Sequence, residues 1–155
     1  MYVSSFGKIN NEISSTNGCR SVASLSDRSL ADEAEQFGRE IGIAFQVVDD
    51  ILDYVASPEE LGKPGGGADI LAGIRTAPLI LAARQSLRLR RMLDEGTGDC
   101  EEIVKIVVEE GGLEKAREVA NEHADKALKA VKGWKESDCK NDLQEIVKIC
   151  IDRNM

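Results

Sequence analysis

The sequence predicts an all-α protein, and three observations carry that reading. Apolar residues recur at helical spacing along almost the whole chain. Aromatic residues make up only 4%, without the aromatic and β-branched clusters that mark strands. Proline occurs three times in 155 residues, so little interrupts a helix. A length of 155 residues is one domain's worth of chain, and 42% hydrophobic with 31% charged residues fits a soluble globular protein.

Taken in order, residues 1–18 are Ser- and Asn-rich and weakly periodic, and are expected to form a ragged start, as though the chain began mid-fold. A short helix is expected over 19–25. Asp27 or Ser29 can cap the next helix, which runs to about Tyr54, so that 27–55 forms one aspartate-rich helical segment. Residues 57–69 hold two of the three prolines and four glycines and read as a loop beside a site. A helix starts near Thr76, with Pro78 in the first turn where a missing N–H costs nothing, and continues through LILAARQSLRLRRML. GTGD at 96–99 breaks it. Further helices are expected over 101–110, ended by Gly111 and Gly112, over 113–132 and over 141–151. The stretch 76–155 is therefore helical, and no repeat or low-complexity tract interrupts it.

Acidic residues outnumber basic ones by 28 to 20, giving a net charge of −8. That excludes a nucleic-acid binder, which needs a surplus of Lys and Arg to neutralise phosphates. No apolar run reaches the roughly 18 residues of a membrane span, and the start lacks the pattern of a secretory signal. Cys19, Cys100, Cys139 and Cys150 lie far apart, without a CxxC pair, and His123 has no Cys neighbour. Zinc and a disulfide framework are therefore not expected, and four unpaired thiols fit a reducing compartment, cytoplasm or organelle matrix.

The chemistry is concentrated in FGREIGIAFQVVDDILDY, 37–54. At about 100° per residue, Ile41, Ala44, Phe45, Val48, Leu52 and Val55 fall on one face, and Ile43, Val47, Ile51 and Tyr54 on a second beside it. Gln46, Asp49, Asp50 and Asp53 share the remaining arc. A helix that is apolar nearly all round is buried, and its one polar stripe faces something. Crowded carboxylates repel one another, and a metal ion or cationic partner is the usual remedy. Oxygen ligands alone suggest Mg²⁺ or Mn²⁺, which takes one or two carboxylates and completes its shell with waters and phosphates. Asp49 and Asp53 are one turn apart and project from the same side. Lys63, beside glycines that let backbone approach a ligand, and Arg75 follow, so a metal–diphosphate site is a chemically consistent reading beside the plainer one of a solvated acidic face.

The run GIAFQVVDDILDY resembles the second aspartate-rich motif of the trans-isoprenyl diphosphate synthases (polyprenyl synthetases), G-x-x-F-Q-x-x-D-D-x-x-D, with Gly42, Phe45, Gln46, Asp49, Asp50 and Asp53 at its fixed positions. The likeness continues through LGKPGGGADILAGIRTAPLILA, where Gly62, Lys63, Asp69, Gly73, Thr76 and Pro78 follow the family's order. It is strong over 37–82, and the long-chain solanesyl and decaprenyl type is the nearest branch. The resemblance implies an isoprenoid-synthase helical bundle, of which this chain would be the C-terminal half. It implies Asp49 as the direct Mg²⁺ ligand, Asp50 and Asp53 holding metal-bound water or nearby cations, and Gln46, Lys63 and Arg75 contacting an allylic diphosphate that isopentenyl diphosphate attacks. The chain contains a single DDxxD, without the family's first such motif or its upstream basic residues.

Two function classes follow. The first expectation, implied by the resemblance, is a prenyl diphosphate synthase, or a fragment or subunit of one, working as a homo-oligomer or in a heteromeric synthase. Alternatively the chain is a non-catalytic helical subunit that binds and modulates a full-length synthase. A terpene cyclase of the same fold fits less well, because that group carries Asn and Ser/Thr in its second metal motif. His123, among Glu and Lys, is expected to be solvated. Arg84, Arg88, Arg90 and Arg91 read as a solvated or subunit-facing edge, and Trp134 as a packing anchor.

Overall fold

A computed structural model describes residues 6–55 and 68–153, with side chains described over 14–55 and 69–153. All the regular structure in these residues is helical: α1 (Phe6–Ser26), a 3-10 turn (Arg28–Leu30), α2 (Ala31–Val55), α3 (Ala68–Leu71), α4 (Ala77–Ala83), α5 (Leu87–Glu95), α6 (Cys100–Glu109), α7 (Gly112–Ala130) and α8 (Asp138–Ile151). No helix among the described residues is long and apolar enough to cross a membrane. The chain forms two compact units, one built on Asp49–Glu118 and the other on Phe6–Val48 with Val119–Met155.

In the second unit, residues 6–18 of the stretch expected to be ragged and the short helix expected over 19–25 form one 21-residue helix, α1, while residues 1–5 lie outside the described residues. Its polar sequence has little periodicity, and its helicity is set by packing rather than by pattern. Gly38 of α2 lets the two backbones touch: a Cβ there would collide with the Ser15 carbonyl and approach Cys19 Sγ to 3.0 Å. Arg20 of α1 pairs with Asp32 at 2.9 Å and with Glu35 of α2. Asp27 caps the turn as expected, accepting from the Ser29 N–H at 3.0 Å. The core of this unit gathers Phe37 and Ala44 from α2, Ala124 and Ala127 from α7, Val131, and Val147 from α8, with Trp134 packed against it.

His123 is not solvated. It is partly buried, and its Nδ1 lies 2.6 Å from Glu40 Oε2 on α2. Lys140 is 4% exposed, and its ammonium donates to the Lys132 and Trp134 carbonyls and to Glu136, at 3.0, 2.9 and 2.6 Å. It closes the 131–137 connection, and Ser137 starts α8 three residues before the expected helix by accepting from the Lys140 N–H. A groove of about 1210 Å³ opens beside the core, lined chiefly by apolar side chains of α1, α2 and α8.

In the first unit, Tyr54, Leu79, Ala82, Leu89, Ile103, Ile106 and Val107 form the core. The expected long helix after Thr76 is two helices, α4 and α5. The Gln85 and Ser86 N–H groups both turn back to the Ala82 carbonyl, and buried Ser86 starts α5 by accepting from Leu89 N–H. The break at 96–99 is as expected: Gly96 ends α5 at φ +64°, and Asp99 caps α6. Gly111, at φ +67°, ends α6, but Gly112 belongs to α7. A Cβ on Gly112 would lie 2.7 Å from the Pro78 carbonyl, so this position keeps α7 tight against the first turn of α4. Arg84, Arg88, Arg90 and Arg91 are exposed as expected; Arg88 pairs with Glu102, and Arg90 holds the Ala83 and Arg84 carbonyls.

Candidate functional site

The last turns of α2 carry two rows of side chains. Asp49 and Asp53, four residues apart, lie on one line about 40° from each other; Asp50 and Tyr54 lie on a second, about 100° further round. Asp49 and Asp53 are partly exposed, whereas Asp50 is 6% exposed and Tyr54 8%. One row reaches solvent and the other enters the first unit's interior.

Each row is tied to the segment that follows. Asp50 Oδ2 accepts the Ala77 N–H at 2.8 Å. The Tyr54 hydroxyl lies 2.8 Å from Thr76 Oγ1, and both residues are buried. Asp53 Oδ2 accepts the Asp69 N–H at 3.2 Å. Between these anchors the chain turns sharply: Ile74 N–H reaches the Asp69 carbonyl at 2.8 Å, and Gly73 takes φ +73°, a conformation that favours glycine. Thr76 occupies the N-cap position of α4 with extended backbone, but makes no side-chain cap. Its hydroxyl is committed to Tyr54, and the buried Asp50 carboxylate satisfies the first-turn amide instead.

Burial pushes the Tyr54 hydroxyl well above its ordinary pKa; the bond to Thr76 opposes this, and the neighbouring Asp53, Asp50 and Asp69 add to it. Burial likewise raises Cys100, with Asp53 contributing. The phenol and this thiol therefore stay protonated at neutral pH beside the carboxylates. Cys19, Cys100, Cys139 and Cys150 are all thiols.

Of the site residues expected from the sequence, α2 brings Asp49, Asp50 and Asp53 into consecutive turns, with Gln46 one turn earlier and partly buried. Arg75 is exposed, immediately before the tied pair Thr76 and Ala77. Lys63 and residues 57–67 of the expected 57–69 loop lie outside the described residues, and the end of that loop, from Ala68, is helical. Among the described residues no three His, Cys, Asp or Glu side chains converge as a ready-made metal cage. The reason is local: Asp50 turns inward. The partly exposed pair Asp49 and Asp53 still offers hard oxygen donors in the number Mg²⁺ uses. The links to Tyr54, Thr76 and Ala77 are not visible in the sequence, where Tyr54 reads only as part of an apolar face.

A family model for polyprenyl synthetase matches residues 13–110. The chain is 38% identical over 141 residues to a probable mitochondrial hexaprenyl pyrophosphate synthase of Neurospora crassa, a match covering 88% of this chain and 31% of that protein. It superposes with a TM-score of 0.78 and 32% identity on the apo form of an Arabidopsis medium/long-chain length prenyl pyrophosphate synthase, covering 90% of this chain and 50% of that one. A polyprenyl synthase from Caulobacter crescentus, complexed with calcium and isoprenyl diphosphate, superposes at TM-score 0.75 with 28% identity, covering 94% of this chain and 46% of that one. The chain thus spans about a third of the first relative's length and about half of each of these structures.

Proposed function

The chain belongs to the polyprenyl synthetase family, and we propose that it forms the second aspartate-rich half of a prenyl diphosphate synthase site, binding a divalent cation and the diphosphate of an allylic substrate. The observation that carries this reading is the pair Asp49 and Asp53, partly exposed on a stretch of α2 whose neighbouring side chains are mostly apolar. Its kinship with a synthase complexed with calcium and isoprenyl diphosphate supports it. Mg²⁺, or Mn²⁺, is the cation suited to two carboxylates and a diphosphate.

When bound, the cation neutralises the charge that collects on the departing diphosphate. Asp49 and Asp53 would hold it, with Asp50 behind them. Gln46, Lys63 and Arg75 hold the diphosphate oxygens, the two cations giving charge-assisted bonds that strengthen as negative charge develops. The allylic C–O bond breaks with its electron pair leaving on the diphosphate. The double bond of isopentenyl diphosphate then supplies the electron pair of the new C–C bond, and the cation so formed re-forms a double bond by giving a proton to the released diphosphate. The chain acts in a reducing compartment, cytoplasm or organelle matrix, as a homo-oligomer or beside a synthase partner.

A second reading, a non-catalytic subunit that modulates a complete synthase, is favoured by the presence of a single DDxxD in the sequence. Assay of the chain alone, and with a complete synthase, separates the two. We expect no useful elongation of an allylic primer by the 155-residue chain. For the binding site itself, calorimetry with Mg²⁺ and inorganic diphosphate should show binding that an Asp49→Ala/Asp53→Ala double variant abolishes. Equal binding by both proteins refutes the assignment.

A further inference from the structure

Three residues of one helical turn, Asp50, Asp53 and Tyr54, each hold the segment 69–77, at Ala77, Asp69 and Thr76 respectively. Two of the three, Asp50 and Tyr54, come from the buried row and take adjacent residues. We propose that Asp50 is a positioning residue and not a direct ligand of the cation: its carboxylate fixes Arg75, Thr76 and Ala77 against the turn of α2 that presents Asp49 and Asp53. The inference rests on the reading of Asp49 and Asp53 as the cation-binding pair.

Direction supports it first. Neighbouring helical residues diverge by about 100°, so Asp49 and Asp50 cannot both point at one small cation, whereas Asp49 and Asp53 can. Burial supports it next. Asp50 is 6% exposed and sits behind the row that reaches solvent. To reach a cation it would have to leave an amide that is itself buried, Ala77 being 3% exposed, and an unpaired buried N–H is costly. Finally, the cap cannot come from elsewhere in the segment, because the Thr76 hydroxyl is taken by Tyr54. The carboxylate therefore does for α4 what a local cap does in an ordinary helix, from 27 residues away. Arg75 directly precedes the pinned pair, so the position of its backbone is set by Asp50 and Tyr54 together. Through this contact the second aspartate places the diphosphate-binding arginine relative to the first and third.

The test uses the full 155-residue chain with two readouts, thermal melting and calorimetry with Mg²⁺ and inorganic diphosphate. Asp50→Asn keeps a carbonyl oxygen that accepts the Ala77 N–H, and Asp50→Ala keeps none. Asp50→Asn should bind Mg²⁺–diphosphate within about threefold of the wild type, while Asp49→Asn weakens it by roughly tenfold or more. Asp50→Ala should melt about 3–6 °C lower than Asp50→Asn. Ala77→Pro supplies an independent check. It removes the donor at the first helical position, where proline's φ is already suitable. Its melting loss should be no greater when combined with Asp50→Ala than that of the worse single variant. Asp50→Asn binding as poorly as Asp49→Asn would make Asp50 a ligand and overturn the proposal. So would Asp50→Ala melting with Asp50→Asn, or full additivity with Ala77→Pro. If the wild type binds no Mg²⁺–diphosphate, the functional reading fails, and the melting comparisons still decide whether Asp50 positions the segment.

Discussion

Tyr54→Phe, Thr76→Val and their combination measure how firmly α2 is locked to the start of α4. The Tyr54–Thr76 bond is 2.8 Å long and sealed, with Thr76 1% exposed. Removing the phenol hydroxyl loses a net hydrogen bond of about 1 kcal/mol and strands the threonine hydroxyl away from water, for a total near 1.5–2 kcal/mol. Thr76→Val strands the phenol instead, at a similar cost. Valine keeps the branched shape, and Thr76 provides no side-chain cap to α4, so nothing else is lost with its hydroxyl. The double variant replaces both partners with apolar groups of the same shape and should cost about 1 kcal/mol or less. At roughly 2–4 °C per kcal/mol for a chain of this size, each single variant should melt about 3–8 °C low, and the double should recover most of that. Denaturant melts give the coupling energy, expected near 2 kcal/mol. Additive losses in the double variant would show that the two hydroxyls do not satisfy one another and would remove one of the ties on segment 69–77.

Alkaline pH provides a second measurement on the same residue. Burial holds the native Tyr54 hydroxyl above its ordinary pKa, so the unfolded chain loses this proton first, from about pH 10 upward, and native stability falls there. The stability of wild type relative to Tyr54→Phe should therefore decline by up to about 1.4 kcal/mol per pH unit above pH 10. A difference that stays flat from pH 9 to 11 contradicts the burial argument. Lys140→Met keeps the aliphatic stem but strips the Lys132 and Trp134 carbonyls of their donor, and should cost about 2–4 kcal/mol in denaturant melts. Glu136→Gln should cost under about 0.5 kcal/mol, because that partner is largely solvated. Equal losses would show that the ion pair, and not the two carbonyls, anchors the turn. Val22, Leu25, Ile146 and Ile149 are exposed at 69%, 90%, 50% and 59%, and the first, third and fourth line the α1–α2–α8 groove. Such a surface favours self-association, so light scattering behind size exclusion should find species above 16.9 kDa. Val22→Glu with Leu25→Glu should shift them towards the monomer. A monodisperse 16.9 kDa wild type speaks against this.

The sequence made the long elements legible where apolar spacing and punctuation agree. The aspartate-rich helix, the Asp27 cap, the start of α4 at Thr76 and the break at 96–99 all follow from local chemistry. The misses at α1 and His123 share a cause, which is that the deciding contact is distant in sequence. α1 packs its backbone against α2 at Gly38, and a glycine adds nothing to a hydrophobic period. The break between α4 and α5 depends on a buried serine inside an arginine-rich run that reads as continuous helix. His123 looks solvated among its neighbours, but Glu40 meets it from 83 residues away. Within the site, the family pattern located the three aspartates but not their division of labour. The partner of Asp50 is a backbone amide, which has no residue identity to read.

That amide has a spectroscopic consequence. The first N–H groups of a helix lack intrahelical acceptors and normally exchange quickly with deuterated solvent. The Ala77 N–H, shielded at 3% exposure and held by a carboxylate, should instead exchange slowly. Pro78 beside it carries no amide proton, so this proton stands apart from other signals of the first turn. Its lifetime is a built-in reporter of where the Asp50 carboxylate points. If Mg²⁺ and diphosphate leave the cap in place, the lifetime holds or lengthens as the turn stiffens; if they draw the carboxylate outward, one proton in the amide spectrum reports the departure by becoming fast.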